Sequence, residues 1–153
     1  MKARHKVLFN QLNTYRQETL QLVENITEVE ADIIPEGFNN NIRWNLGHLY
    51  LDQYLWIQAV TKEKSEEANK LNQWFGFGTS PSDFTAETPN LHELKELLQH
   101  QITNIKEKYQ DRLEEEFQPT EMGMHTIEQV LIRTIYHEAL HTAAIQYIKR
   151  FIK

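Results

Sequence analysis

The chain has 153 residues, 40% hydrophobic and 25% charged, with a net charge of −6, seven histidines and no cysteine. That length fits one domain, residues 1–153, large enough to bury about two-thirds of its unfolded surface. Lack of cysteine excludes a disulfide scaffold, a Cys-ligated zinc and a thiol nucleophile, while scattered Lys and Arg leave no basic face for nucleic acid.

Four helical segments follow from the apolar periodicity. The first spans about residues 4–27, with Leu8, Leu12, Tyr15, Leu22 and Ile26 at three- and four-residue steps and Thr19 filling the gap. Pro35 and Gly37 break it. The second starts after Asn39-Asn40-Asn41, whose side chains suit a helix N-cap, and sets Trp44, His48, Leu51 and Leu55 on one face. The third begins near Thr88-Pro89-Asn90 and buries Leu91, Leu94, Leu98, Ile102, Ile105 and Tyr109. The fourth follows Pro119 and Gly123. Thr126 and Gln129 form a capping box there, Gln129 reaching back to the Thr126 amide. Its stripe is Ile127, Val130, Thr134, His137, His141, Ala144 and Ile148.

No segment alternates with period two, so the fold class is all-α, and a four-helix bundle buries four such faces most simply. A modest loop makes the first two helices antiparallel neighbours. Between the second and third lie roughly 28 residues, against two to eight for bundle neighbours. That crossover carries the chain along the bundle, in an up-down-down-up order. Its first part, Lys62–Glu67, reads as a solvated continuation of the second helix. Its second part, 72–84, is rich in glycine and aromatic rings. No apolar run approaches the ~18 residues of a membrane span, and Asn10, Gln11 and Asn13 interrupt any signal-peptide core. A cytoplasmic protein without a membrane partner is expected.

Three of the histidines fall inside apolar stripes. His137 and His141 are four apart, so their Cβ atoms lie about 5–6 Å apart on one face, close enough for both rings to share an ion at 2.0–2.1 Å Zn–N distances. His48 occupies the equivalent inward place on the second helix. Two arrangements remain open on spacing and faces alone: three rings sharing one metal, or three rings each satisfied by a separate partner. His5, His92, His100 and His125 read as ordinary histidines. The string His137-Glu138-Ala139-Leu140-His141 also matches the zinc-protease pattern H-E-x-x-H. Only twelve residues follow His141, none of them His, Asp or Glu, and no strand is expected, so that reading fails. Glu138 stays a candidate base beside the ligands, with an ordinary second-layer glutamate as the alternative.

Three stretches resemble one family. Trp44-Asn45-Leu46-Gly47-His48-Leu49 is similar to the W-x-L-G-H-[LI] helix of the DinB-like (DinB/YfiT) superfamily. Gly78-Thr79-Ser80-Pro81-Ser82-Asp83-Phe84 resembles its G-T-S-P-x-D-[FW] loop, and Thr126 to His141 resembles its last helix. The order and spacing match across nearly the whole chain. The resemblance implies an up-down-down-up bundle with one divalent ion, zinc or nickel, on His48, His137 and His141. It also implies a metal-dependent hydrolase, or a transferase or isomerase using a low-molecular-weight thiol such as bacillithiol or mycothiol. Homodimers are common in the family. A non-catalytic metal- or ligand-binding bundle and a plain interaction domain are the competing readings. One departure is visible: Ala144 stands where relatives carry Gln in H-x-G-Q after the last ligand, which weakens transfer of a substrate by analogy. Trp44, Trp74, Phe75, Phe77 and Phe84 are the expected walls of a substrate pocket, with Tyr50, Trp56, Arg43 and Asp52 as further candidates. Equally, the aromatic loop serves to pin the crossover.

Overall fold

Side-chain caps start three of the four long helices. Asn41 Oδ1 accepts from the Trp44 amide at 2.8 Å, Asn90 Oδ1 from that of Glu93 at 2.9 Å and Thr126 Oγ1 from that of Gln129 at 3.2 Å. Each removes one of the orphan donors of a first turn. Gln129 reaches back to the His125 amide at 2.8 Å rather than to that of Thr126. Glu28 adds a second cap to the helix that Asn90 starts, its two oxygens accepting from the amides of Leu91 and His92 at 2.9 Å.

The computed structural model describes residues 1–152. The helices are α1 (Ala3–Leu22), α2 (Glu28–Ala31), α3 (Ile42–Thr61), α4 (Glu66–Phe75), α5 (Leu91–Tyr109) and α6 (Ile127–Phe151), with a 3-10 turn at Pro81–Asp83; among the described residues there is no strand. None of these helices is long and apolar enough to cross a membrane.

Two helices differ from expectation. The first ends at Leu22, and Thr27 with Glu30 forms a capping box for the separate short α2. The crossover is not a continuous loop. Lys62 ends α3 in the left-handed region at φ 61°, and Ser65 then caps α4, with Glu66 and Glu67 in its first turn favouring the N-terminal end of the dipole.

Packing also corrects the expected neighbours. α1 packs on α5 and α6, and α3 packs on α5, α6 and α4, so α1 and α3 sit across the diagonal. Arg4 meets Glu128 and Lys149 meets the Leu22 carbonyl, so α1 and α6 run the same way. Asn45 meets His141 and Gln53 meets Thr134, so α3 runs against α6. α4 lies close on α3 because Gly47 leaves room for the Phe75 ring. A Cβ at Gly47 would stand 2.2 Å from that ring, and Phe75 is fully buried.

The core has two apolar clusters. One contains Leu46, Leu49, Phe75, Leu94 and Ile145, the other Phe9, Leu12, Ile57, Ile105 and Leu131. Between them Arg16, 1% exposed, spends its guanidinium on Glu138 Oε1 (2.9 Å) and Oε2 (3.2 Å), the Leu98 carbonyl (3.0 Å), Gln101 Oε1 (2.9 Å) and Gln53 Oε1 (3.2 Å). These five contacts match the five donors of the group. Thr19 Oγ1 also donates to Glu138, at 3.0 Å. All four long helices therefore meet in one satisfied polar layer.

A buried charge that loses its partner costs far more than the pair is worth. Arg16→Met should lower the unfolding free energy by ~3–5 kcal/mol, read from the denaturant midpoint. Arg16→Met/Glu138→Leu should recover part of that loss; a double variant no more stable than the single one would contradict this account of the layer.

Candidate functional site

α3 and α6 run antiparallel with His48 opposite His137 and His141. The three rings form a compact triangle, with centroids 5.2 Å (His48–His137), 4.9 Å (His48–His141) and 4.5 Å (His137–His141) apart. Each offers a ring nitrogen, and these atoms lie within 4.8 Å of one another, so the group could hold a metal ion. His48 and His137 are each 7% exposed, and His141 is half-buried.

Hydrogen bonds decide which nitrogen is free. His48 Nδ1 lies 2.7 Å from the Phe75 carbonyl, which only accepts, so Nδ1 carries the proton and the lone pair of the neutral ring is on Nε2. His141 Nδ1 lies 2.8 Å from Asn45 Oδ1. The Asn45 amide nitrogen donates to Asn40 Oδ1 at 3.0 Å and to the Asn41 carbonyl at 2.8 Å, so its oxygen must face the histidine. His141 therefore also presents Nε2 as acceptor. Metal-ligating imidazoles are oriented by this kind of outer contact. Burial pushes His137 down to about 4, with the Asp52 carboxylate opposing it. Burial, followed by the charge of the neighbouring imidazoles, pushes His141 down to about 3. Both rings are neutral at physiological pH, the form that binds metal.

Asp52, one turn beyond His48 on α3, brings Oδ2 to 3.2 Å from His137 Nε2 and 3.6 Å from His48 Nε2. Glu138 points elsewhere: its carboxylate belongs to Arg16 and Thr19 in the polar layer. Trp44 stacks on His48, centroids 4.7 Å apart and planes at 8°, and donates Nε1–H to Thr79 Oγ1 at 2.9 Å. Thr79 Oγ1 lies 2.7 Å from the Gly76 carbonyl. The loop after α4 thus fixes the indole that covers His48.

Of the other expected pocket walls, Trp74 and Phe75 are 2% and 0% exposed, so their rings are core and unable to touch a ligand. Phe77 is 99% exposed and covers nothing. Phe84 is half-buried, edge-on to Phe75 at 5.4 Å, with the Arg43 guanidinium 4.7 Å over its ring. Arg43 itself binds the carbonyls of Pro89 (2.8 Å) and Thr88 (2.7 Å) and reaches Asp32 at 3.3 Å, so its donors tie helices together. Trp56 lies under Arg133, 4.3 Å from ring to guanidinium. Tyr50 lines a groove of about 680 Å³ against α5, away from the three histidines. A second cluster, His5, Glu114 and Glu128, has ligand-like spacing, but Lys2 and Arg4 already neutralise its carboxylates.

Three contributors escaped the sequence reading: Asn45, Thr79 and Arg16. Asn45 had one visible signal, standing four residues after Asn41 between the apolar Trp44 and Leu46.

The solved structure of a conserved protein from Enterococcus faecalis superposes with a TM-score of 0.73 at 14% identity, over 99% of this chain and 98% of that chain. Likeness at that identity establishes the fold alone. No curated protein matches the sequence. The family model described as the DinB superfamily matches residues 11–145, a span that includes His48, His137 and His141. The chain belongs to the DinB superfamily.

Proposed function

We propose that this protein is a divalent-metal-dependent enzyme whose ion is held by His48, His137 and His141, with zinc or nickel the metals best suited to three imidazoles. One observation carries the reading: three imidazole rings from two helices converge, and the Nδ1 protons of two of them are committed outward to Phe75 and Asn45. Three protein ligands leave a coordination place open, the pattern of catalytic rather than structural sites. A divalent ion supplies Lewis acidity there, which deprotonates a thiol or a water at neutral pH.

The remaining work falls to this chain's residues. Phe75 and Asn45 hold two rings in their ligating tautomers. Trp44 shields one side of His48. Asp52 Oδ2 stands beside His48 and His137, where it can take a proton from an incoming thiol or water. We read Glu138 as an anchor for α6 and not as the base, since its oxygens are already bound. Membership of a superfamily that includes thiol-using branches puts S-transfer to a small electrophile ahead of hydrolysis, in the cytoplasm. The second reading is a closed, non-catalytic metal site, and the same carboxylate favours it, because Asp52 lies near enough to become a fourth ligand.

Protein purified without a histidine tag should contain close to one divalent ion per chain by elemental analysis. His137→Ala should abolish its retention, and unchanged content would end the proposal. Asp52→Asn separates the two readings. An open site keeps its metal affinity and loses turnover by ~10²–10⁴-fold, whereas a closed site loses affinity, measured by competition with a chromophoric chelator. Supplied with an electrophile, the enzyme should consume bacillithiol in step with product. Product formation at an undiminished rate without thiol would assign hydrolysis.

A further inference from the structure

Away from the histidines, α3, α4 and α5 line the groove of about 680 Å³, inside the roughly 300–1,000 Å³ range of small-molecule sites. Its walls carry one sign of charge. Glu67 of α4 and Glu93 and Glu96 of α5 stand in them, and no lysine or arginine does. The ion pairs of the chain's lysines and arginines all go to other carboxylates. A recess of about 230 Å³ continues the groove past Tyr50, Glu67 and Glu93, adding Glu87 and one cation, Lys70.

Charge alone does not make a site, and Tyr50 supplies the second observation. Its side chain is 4% exposed, yet it lines both cavities. Its backbone carbonyl is fixed by Gln101 Nε2 at 2.8 Å. Its hydroxyl has no carbonyl, amide or carboxylate partner among the described residues, only the neighbouring Tyr54. A buried phenol ordinarily finds such a partner. Tyr54 packs edge-on against it, centroids 5.3 Å apart, and lines the same groove. Burial, then the nearby Tyr54 and Glu67, push the Tyr50 hydroxyl up, so its oxygen keeps its proton and offers lone pairs to an N–H donor.

Spacing separates a bare ion from a molecule. Among the described residues, three ligand atoms come within 4.8 Å of one another only around His48 and around His5. The carboxylates of the groove are therefore too far apart to share one metal ion. Along α5 the lining runs from His92 to Asn104, about 18 Å at the helical rise. A slot of that length, with separated negative charges and a phenol floor, matches a linear chain bearing several positive charges.

We infer that this groove binds a linear aliphatic polyamine, with its ammonium groups on Glu67, Glu93 and Glu96 and one N–H on the Tyr50 oxygen. Leu97 and the two tyrosine rings take the methylene stretches between the charges, and a ring face adds attraction for an ammonium group above it. The net charge of −6 draws such a ligand in. The inference does not depend on the metal.

Isothermal titration of the whole chain with spermidine should show one saturable site, weakening as salt is raised. Glu67→Gln and Glu96→Gln should each weaken it roughly tenfold, the worth of one hydrogen bond to a charged group. Tyr50→Phe keeps the ring, removes the oxygen and should weaken binding roughly threefold. Glu121→Gln removes the same charge from an exposed position before α6 and should leave the affinity unchanged. Circular dichroism should show the same helix content in all four variants. No saturable binding below millimolar spermidine, or an equal loss in Glu121→Gln, would overturn the inference. So would magnesium chloride filling the site at the same affinity, which would assign it to an inorganic cation. Tighter binding of a blocked lysine tripeptide of equal charge would also overturn it and assign the groove to a basic protein segment.

Discussion

Two hydrogen bonds decide what the histidine cluster can be. An imidazole that keeps its proton on Nδ1 offers Nε2 and nothing else, so the contacts of His48 with the Phe75 carbonyl and of His141 with Asn45 aim two lone pairs at one place. Each contact rests on further structure. Phe75 reaches His48 because Gly47 lacks a Cβ and α4 can lie tight on α3. Asn45 turns its oxygen toward His141 because Asn40 and the Asn41 carbonyl take its two N–H groups. The asparagine cluster that starts α3 therefore works twice, as a helix cap and as the support of His141 on another helix.

Below the histidines, the Arg16–Glu138 layer divides the core and joins the four long helices. Buried ion pairs add little net stability against an apolar replacement. What this one adds is position: Glu138 sits next to His137 in sequence, and an α6 that slid or rotated would leave Arg16 unpaired. Rigidity of that kind suits a site whose ligands must meet within a few tenths of an ångström. Contacts from α1 and α3 hold α6 at the site, through Thr19 to Glu138 and Asn45 to His141.

Much of this was legible in the sequence. Apolar periodicity located the four long helices, and the inward facing of His48, His137 and His141 followed from their places in those stripes. The class of fold followed as well. What was hidden depended on tertiary context. Arg16 continues the row Leu12 begins, but Tyr15 and Thr19 offered an equally regular stripe, and a guanidinium is expected outside. α4 was masked because the charged run 62–67 contains both the end of one helix and the start of another, and only the left-handed Lys62 separates them. On a glycine-bearing loop Trp74 and Phe75 read as pocket walls; on a helix packed against Gly47 they are core. Loop length also misled, since a short connection holding α2 crosses the diagonal of the bundle as readily as it joins neighbours.

The claim beneath all of this is that three imidazole nitrogens share one cation. X-ray absorption at the metal edge, on protein loaded with zinc, tests it without any substrate. The account predicts three imidazole nitrogens at about 2.0–2.1 Å with their outer-ring scattering, beside one exchangeable oxygen from water. A first shell made of oxygen atoms, with no imidazole scattering, would contradict it.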